Sequence, residues 1–483
     1  MRYSSIFRVS TAIAILVLAA GPAGAATITI VNTDGAGEGF NDPTPTTPVG
    51  GNTGTTLGEQ RLILFEAAAD QWGALVESDV EILVSAQFNP MTCDAGGAVL
   101  GSCGATYIIR DFPNAPFANT WYSAALANAL AGSDQSGQTD ITAQFSSTVD
   151  DDPDCLGGFG WYYGLDGVPG NQQHLYPVIL HELGHGLGFQ NFANEATGTL
   201  NGGIPDIYTR MTLDMTTGLH WHEMTNGQRQ ASAINTGEVV WDGPFGQAAG
   251  EDWLAAEVID LIVNSPPAIA GTYDSTGALF GATGTESDGV TGDMELVNDG
   301  SGLPTQGCDP LVGFTPGRIA FIDRGTCEFG EKALHAEQAG ASAAVIANDR
   351  DGTVLVYMGG GVFGDQVTIP LIAIGQDDGN IIRPELPGNV TFDVLEIWGM
   401  HAAGFPLLYA PNPVEMGSSI SHWDVSMRPD TLMEPFTTED EYNEVDMTPG
   451  LFEDIGWTLI GGDLIFEDGF ESGDSTGWDN TVP

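Results

Sequence analysis

Two histidines four residues apart, with a glutamate directly after the first, constrain this chain more than any other feature of its sequence. They lie in the segment His181-Glu182-Leu183-Gly184-His185. On a helix, side chains at positions i and i+4 project from the same face, one turn apart. Two neutral imidazoles at that spacing suit a single zinc ion. The segment is therefore predicted to be a helix that presents His181 and His185 as metal ligands.

The glutamate between the histidines suggests a chemical role for this helix. Glu182 can reach a water molecule beside the metal without binding the metal itself. Zinc lowers the pKa of bound water to about 7, so a carboxylate can accept its proton and pass it to a leaving amine. The helix is expected to end at Gly188 in a left-handed turn. Its buried side would be formed by four apolar residues: Val178, Ile179, Leu183 and Leu187.

A third zinc ligand does not follow from the local spacing. A metzincin of the compact type would have a third histidine at position 191, but the chain has Asn191, and an amide oxygen is a poor zinc ligand. His220 and His222 share one face of a predicted short strand and are an alternative accessory site, while His174 is predicted to lie at the surface. The full set of candidates is His174, His220, His222, His335, His401 and His422.

His422 differs from the other candidates in its surroundings. Residues 418–424 read Ser-Ser-Ile-Ser-His-Trp-Asp, and residues 432–435 read Leu-Met-Glu-Pro. With the histidine pair, these segments resemble leishmanolysin, a metzincin whose third zinc histidine follows a long insertion. In that family the methionine of the Met-turn comes eleven residues after that histidine, as Met433 follows His422 here. The resemblance implies five roles: zinc ligands His181, His185 and His422, general base Glu182, and Met-turn residue Met433.

A second resemblance covers the region between the two halves of this pattern. Residues 317–329 read Gly-Arg-Ile-Ala-Phe-Ile-Asp-Arg-Gly-Thr-Cys-Glu-Phe and are similar to the core of protease-associated (PA) domains. The continuation at 332–341, at 344–346 and at 369–372 fits the same family. The resemblance implies a small module without catalytic residues, which acts as a spacer or influences substrate access.

The predicted elements along the chain give an α+β fold class. Thr56 and Glu59 form a capping-box pattern before an amphipathic helix, and strands are predicted at 27–31 and 80–88. We predict a zincin/metzincin-like catalytic domain interrupted by the small α/β PA domain. The predicted segments are a signal peptide (1–25), the first catalytic part (26–264), the insert (265–397), the second catalytic part (398–460) and an acidic tail (461–483).

The first residues are typical of a secretory signal. Arg2 and Arg8 precede an apolar stretch at 11–20, and Ala-Gly-Ala at 23–25 suits a signal peptidase. The apolar stretch is shorter than the roughly 18 residues that a membrane span needs. We therefore expect a secreted, extracellular protein, with the periplasm as an alternative and without stable membrane insertion.

Five cysteines in an oxidising compartment indicate two disulfides and one remaining thiol. Proximity along the chain favours the pairs Cys93–Cys103 and Cys308–Cys327, which leaves Cys155 unpaired. A Cys103–Cys155 bond is the alternative.

The charge of the chain excludes one class of partner. Twelve basic and 65 acidic residues give a formal net charge of −53. Such a surface repels phosphate backbones, so nucleic acid is excluded as a partner. A solvating coat suited to salty surroundings is the main explanation for this charge, and weak Ca²⁺ binding is the alternative.

Together these features lead to the expectation of a secreted zinc endopeptidase that acts on extracellular proteins and peptides. A zinc aminopeptidase is the first alternative, because PA domains also accompany such enzymes. A secreted binding or adhesion protein that retains the zinc site without catalysis is the second. The intact Glu182 disfavours the second alternative, since a purely structural zinc site needs no base.

Overall fold

The computed structural model describes residues 24–282, 287–350, 352–437 and 445–460. The predicted acidic tail and all but the last two residues of the predicted signal peptide lie outside these ranges. Within the described residues, none of the helices has the length and apolar character needed to cross a bilayer.

The helices of the described residues are distributed over the whole chain. They are α1 (Leu57–Leu75), α2 (Ala124–Ala131), α3 (Thr148–Asp151), α4 (Leu175–Leu187), α5 (Ile207–Met211), α6 (Asn226–Ser232), α7 (Pro244–Trp253), α8 (Phe329–Gln338), α9 (Gln376–Ile382) and α10 (Thr448–Ile455).

The strands fall into a small sheet, a barrel and several short pairs. The strands before the insert are β1 (Ile28–Asn32), β2 (Ile82–Asn89), β3 (Cys93–Asp94), β4 (Gly97–Ala98), β5 (Gly101–Ala105), β6 (Ile108–Ile109), β7 (Tyr122–Ser123), β8 (Ile141–Ser146), β9 (Trp161–Tyr162), β10 (Gln173–His174), β11 (Thr212–Asp214), β12 (Leu219–His220) and β13 (Val239–Trp241). Those of the barrel and beyond are β14 (Ala256–Ser265), β15 (Gly271–Gly277), β16 (Thr291–Leu296), β17 (Ile319–Asp323), β18 (Ala343–Ala347), β19 (Leu371–Ile374), β20 (Gly388–Ile397), β21 (Met400–His401) and β22 (Phe405–Pro406).

A four-stranded sheet in the order β1-β2-β8-β5 supports the first part of the chain. β1, β2 and β8 run parallel, and β5 pairs antiparallel with β8 at one edge. Side chains along β2 alternate between buried and partly buried, because successive residues of a strand point to opposite faces. This confirms the strand predicted at 80–88. β5 did not stand out in the sequence, since Gly-Ser-Cys-Gly-Ala has neither alternation nor high β-propensity.

Helix α1 begins at the predicted capping box. The Thr56 hydroxyl accepts a hydrogen bond from the Glu59 amide, and the Glu59 carboxylate accepts one from the Thr56 amide. Each of these bonds satisfies an amide that a helix start leaves unpaired. Near the other end of α1, the buried Trp72 donates its indole N–H to the Leu180 carbonyl at 3.0 Å. This bond fixes α1 against α4, the helix that carries the histidine pair.

The insert forms a closed seven-stranded barrel in the order β14-β15-β19-β18-β17-β16-β20. Strands β16, β17, β18 and β19 run parallel to one another, and β14 closes the barrel by antiparallel pairing with β20. The segments that resemble PA domains contain strand β17, most of helix α8 and part of strand β18. Strand β14 begins at Ala256 and pairs with β20 along its length.

The hydrophobic cores show how the barrel interrupts the rest of the chain. Buried apolar residues of 26–254 and of 408–457 belong to one continuous cluster. The barrel has two clusters of its own, within 259–392 and within 278–373. The segments on either side of the barrel therefore fold together, and the structure is mixed α+β as predicted.

The two ends of the barrel lie next to each other, which makes its removal feasible. Ala256 and Ile397 are paired residues of β14 and β20, and Trp398 donates its amide to the Ala255 carbonyl at 3.0 Å. We expect a variant that joins Ala256 to Ile397 through a short Gly-Ser linker to fold and to retain its metal content, because loop closure costs little at this separation. Circular dichroism and metal analysis test this. A soluble, folded deletion variant that binds no zinc would show that the barrel is needed for the metal site.

One of the predicted disulfides is wrong. Cys308 pairs with Cys327 as expected, but Cys93 pairs with Cys155, and Cys103 is the free cysteine. Cys93 lies on the β3–β4 hairpin, which turns towards the short 3₁₀ segment that carries Cys155. Cys103 lies on β5, held by its pairing with β8. Proximity in sequence was therefore misleading, because the hairpin reverses the chain between Cys93 and Cys103.

Candidate active site

The structure brings together three histidines from two distant parts of the chain. The Nε2 atoms of His181 and His185 lie 3.1 Å apart, and the Nε2 atom of His422 lies 3.2 Å from His185 and 3.3 Å from His181. Among the described residues, these three form the one group of at least three histidine, cysteine or acidic side chains close enough to share a metal ion. His181 and His185 come from α4, and His422 comes from the loop that follows the barrel.

The hydrogen bonds of the three rings determine which nitrogen of each ring carries the proton and which has a free lone pair. Each Nδ1 faces a backbone carbonyl: Leu432 for His181 at 2.6 Å, Phe189 for His185 at 2.7 Å and Ser418 for His422 at 2.7 Å. A carbonyl only accepts, so each Nδ1 carries the proton and each Nε2 has a free lone pair. Three lone pairs that point at one another repel unless a cation lies between them.

The size of the cluster agrees with zinc. Zn–N distances of about 2.0–2.1 Å in tetrahedral geometry place the ligand nitrogens about 3.3 Å apart. The three observed separations are 3.1, 3.2 and 3.3 Å. Carbonyl partners on the second ring nitrogen are also typical of zinc-binding histidines. The donor set therefore fits zinc in both chemistry and dimensions.

Burial keeps the three imidazoles neutral. It lowers the pKa of His181 to about 4 and that of His185 to about 3, and it lowers the pKa of His422 well below its usual value. Repulsion from a neighbouring imidazolium acts in the same direction for His185 and His422. Neutral imidazole is the form that binds a metal.

Glu182 lies beside the histidines, under strand β5. Burial raises the pKa of its carboxyl to about 8, although the backbone amide of Cys103 acts in the opposite direction. A cation among the histidines would lower this pKa again through its charge. A Cβ atom at Gly101 would meet the Glu182 carboxylate oxygen at 2.9 Å, so glycine lets β5 approach the glutamate closely. Sequence reasoning missed Gly101, because nothing in a single glycine indicates which segment passes beside it.

Met433 lies directly beneath the histidine helix. Its side chain is fully buried, and its carbonyl accepts the Trp423 amide at 2.9 Å. The preceding carbonyl, of Leu432, is the one that accepts the His181 Nδ1 proton. The segment 432–433 therefore supports α4 from below and orients one of its histidines.

Gly184 allows this close packing, and its replacement gives a measurable prediction. A Cβ atom at Gly184 would lie 2.7 Å from Met433 Sδ and 3.5 Å from Trp72, both of which are fully buried. We expect Gly184→Ala to destabilise the protein by about 1–3 kcal/mol, because overpacking outweighs the better helix propensity of alanine. Urea unfolding measures this difference.

Gly227→Ala is the matched control, since a Cβ atom at this helical glycine meets no atom within 4 Å. It should be neutral or stabilising by up to about 1 kcal/mol. Equal effects of the two substitutions would contradict the packing argument.

A cleft of about 670 Å³ opens above the histidines and Glu182. One wall is formed by residues 96–103, which include β4 and the first half of β5, and the other by residues 416–418 and 434–437. Apolar side chains that are largely exposed line it at Val99, Met416 and Phe436. A volume of this size accommodates a ligand of several residues.

Glu434 is a second carboxyl group in this cleft that sequence reasoning did not single out. Burial raises its pKa to about 8, and Thr431 donates its amide to the Glu434 carboxylate at 2.8 Å. Glu434 directly follows Met433, so the same turn that supports α4 also delivers a carboxyl group to the cleft.

The other candidate histidines lie away from the cleft lining. His220 Nε2 lies 2.5 Å from an Asp242 carboxylate oxygen, and the rings of His220 and His222 are 5.6 Å apart. The prediction that His174 is a surface residue is wrong. His174 precedes α4, is 6% exposed, and its Nε2 lies 3.2 Å from the Gly164 carbonyl.

Comparison with known protein families identifies part of the chain. Residues 290–382 match the family model of the PA domain. These residues run from β16 to α9 of the barrel. The insert contains a PA domain. This confirms the resemblance noted in the sequence, while the limits 265 and 397 stay a prediction.

The curated relatives share only a part of their length with this chain. Aminopeptidase YwaD of Bacillus subtilis (strain 168) is 34% identical over 128 residues, which are 25% of this chain and 26% of YwaD. ER degradation-enhancing alpha-mannosidase-like protein 3 of Xenopus laevis is 33% identical over 87 residues, which are 16% of this chain and 10% of that protein. The chain thus spans about a quarter or less of the length of these relatives. Their names differ in function, so the shared part does not by itself specify an activity.

Among solved structures, a zinc aminopeptidase from Bacillus subtilis, BSAP, is similar over 39% of this chain and 41% of that chain. The identity is 19% and the TM-score is 0.22. At this score the likeness does not establish a shared fold.

Proposed function

We propose that this chain is a zinc-dependent peptide hydrolase whose site consists of His181, Glu182, His185 and His422. One observation carries the proposal: three Nε2 lone pairs converge within 3.3 Å, while every Nδ1 proton is already donated to a carbonyl. When bound, zinc supplies Lewis-acid chemistry, because it lowers the pKa of water to about 7 and polarises a carbonyl group.

Glu182 is the proposed general base. Its carboxylate lies in the same cleft, and it follows His181 on α4 without joining the cluster of ligand atoms. In the proposed reaction it accepts a proton from the attacking water and later donates it to the amine of the leaving peptide. Glu182, His185 and His422 are buried, and this shielding from bulk water strengthens electrostatic interactions inside the site.

The shape of the cleft supports an extended peptide as substrate. β5 is an edge strand of the sheet and also lines the cleft. An edge strand offers unpaired backbone N–H and C=O groups to which an extended chain can hydrogen-bond. A wall that continues from 96 to 103 gives an extended peptide room to continue in both directions, which supports an endopeptidase.

A metzincin-like arrangement is part of the same proposal, with Met433 as the Met-turn residue. Its support is the combination of a helix with two histidines, a third histidine after a long insertion and a buried methionine below the helix. Two disulfides within the described residues support a location in an oxidising compartment.

An aminopeptidase is the second candidate, and the comparisons favour it over the endopeptidase, since YwaD carries that name. The buried Glu434 carboxyl in the cleft is a group that could pair with the free α-amine of a substrate. Against it, aminopeptidases with two zinc ions use dispersed acidic and histidine ligands, whereas the proposed ligands here are three histidines.

Four measurements on the purified full chain test the proposal. Metal analysis should find about one zinc per chain, and casein hydrolysis should stop with a chelator and return with zinc. Absence of hydrolysis in a zinc-loaded protein would favour the non-catalytic binding protein instead.

A quenched peptide blocked at both ends separates the two candidate enzymes from each other, because an aminopeptidase cannot cleave it. Release of leucine from leucine p-nitroanilide, with no cleavage of the blocked peptide, would establish the aminopeptidase.

A further inference from the structure

The residue before the Ser421–His422 pair has an unusual backbone conformation. Ile420 has a φ angle of +70°, a left-handed conformation that is disfavoured for a β-branched residue. Such a conformation persists only where neighbours hold it in place. The Tyr208 hydroxyl donates to the Ile420 carbonyl at 2.9 Å, and the Ile420 amide donates to the Tyr409 carbonyl at 2.7 Å. The turn that leads into His422 is therefore held by its surroundings rather than by local preference.

Asn191 holds the next residue, Ser421. The Asn191 side-chain amide donates to the Ser421 hydroxyl oxygen at 2.8 Å, and the Asn191 backbone amide donates to the same oxygen at 3.2 Å. Both residues are buried, with exposed fractions of 5% and 6%. The second proton of the Asn191 amide goes to Glu195 at 3.0 Å, and its carbonyl oxygen accepts the Ala193 amide at 3.0 Å. Asn191 therefore has its hydrogen-bonding groups committed in one defined orientation.

The place of Asn191 in the chain makes this contact relevant to the metal site. Asn191 follows Gly188, the residue at which α4 ends, by three positions. The same short segment contains Phe189, whose carbonyl accepts the His185 Nδ1 proton. One segment thus orients a histidine of the helix and also holds the residue next to His422.

We propose that Asn191 is a positioning residue that sets, through Ser421, the distance and direction of His422 relative to the histidines of α4. Asn191 joins the loop that carries His422 to the end of α4 through its hydrogen bonds to Ser421. It does not belong to the cluster of ligand atoms. The inference rests on the proposed zinc site and adds residues to it.

Zinc affinity of the full chain tests this inference directly. The protein is stripped of metal with a chelator and titrated with zinc against a chromophoric competitor. Ser421→Ala removes the shared acceptor and should weaken zinc binding about tenfold, and Asn191→Ala should weaken it by about 10- to 100-fold, the usual range for groups that orient metal ligands. The double variant should be little worse than Asn191→Ala, because both changes remove the same contact.

Asn52→Ala is the matched control. Asn52 is 1% exposed and donates both side-chain amide protons, to the Gln60 carbonyl at 2.9 Å and the Tyr163 carbonyl at 2.8 Å. Its loss should lower the melting temperature without changing zinc affinity in the folded protein. If Asn52→Ala weakens zinc binding as much as Asn191→Ala does, the effect is one of general stability and the inference is wrong.

Other outcomes distinguish a failure of this inference from a failure of the proposed function. Wild-type affinity in a folded Ser421→Ala variant overturns the inference and leaves the proposed function intact. A wild-type protein that binds no zinc overturns the proposed function itself. If Asn191→Ala fails to fold, Ser421→Ala still gives the answer, because it removes only a hydroxyl group.

Discussion

Glu182→Gln lowers peptide hydrolysis by about 10²–10⁴-fold and leaves the zinc content unchanged; this is the result we expect from the proposed general base. Glutamine has nearly the same size, so the contact between Glu182 and β5 at Gly101 is kept. Its amide cannot accept the proton of the attacking water or return it to the leaving amine. Since Glu182 does not belong to the cluster of ligand atoms, metal binding should survive. Steady-state kcat/KM on a blocked peptide and metal analysis of the same sample measure both effects.

Glu434→Gln is the control for this experiment, because Glu434 is a buried carboxyl group in the same cleft. For an endopeptidase it should keep its zinc and most of its turnover on the blocked peptide. For an aminopeptidase it should lose activity mainly on substrates with a free amino terminus. Near-normal turnover of Glu182→Gln, or a larger loss in Glu434→Gln on the blocked peptide, would show that the base is assigned to the wrong residue.

His422→Ala should abolish stable zinc binding, with a larger loss of affinity than the 10- to 100-fold expected for residues that only orient ligands. The substitution leaves two imidazoles where a catalytic zinc site has three protein ligands. Zinc content after dialysis and the dissociation constant from competition titration report the loss. Activity on casein should fall together with the zinc content.

The histidines of the alternative accessory site provide the controls for this substitution. His220→Ala removes the partner of Asp242. His222→Ala removes a ring whose centroid lies 5.6 Å from that of the His220 ring. Both should keep the zinc content of the wild type. A collapse of zinc binding in either variant, with normal binding in His422→Ala, would mean that the third ligand is assigned to the wrong residue.

Local features of the site were predictable because they depend on residues close in sequence. The spacing of His181 and His185 determines that both rings leave the same face of α4, and Gly188 ends that helix with a φ angle of +137°. The capping box of Thr56 and Glu59 correctly predicted the start of α1. In each case, hydrogen bonds within one or two helical turns decide the outcome.

Contacts between distant segments were predicted only in part. His422 was selected through a family resemblance, since no spacing rule connects it with His181 across the barrel. Cysteine pairing failed where the β3–β4 hairpin reverses the chain between Cys93 and Cys103. β5, which forms a wall of the cleft, was missed because its sequence lacks the periodicity of a buried strand.

By itself, the sequence determined the histidine helix, the residue that serves as candidate base and the presence of a PA domain in the insert. The tertiary structure alone decided which carbonyls orient the three rings, where the β5 wall lies over Glu182 and how Asn191 reaches Ser421. The physical reason is the range of the interactions. Helix periodicity and capping act over a few residues, whereas ring orientation and cleft shape depend on segments that approach each other only after the cores on both sides of the barrel have packed into one.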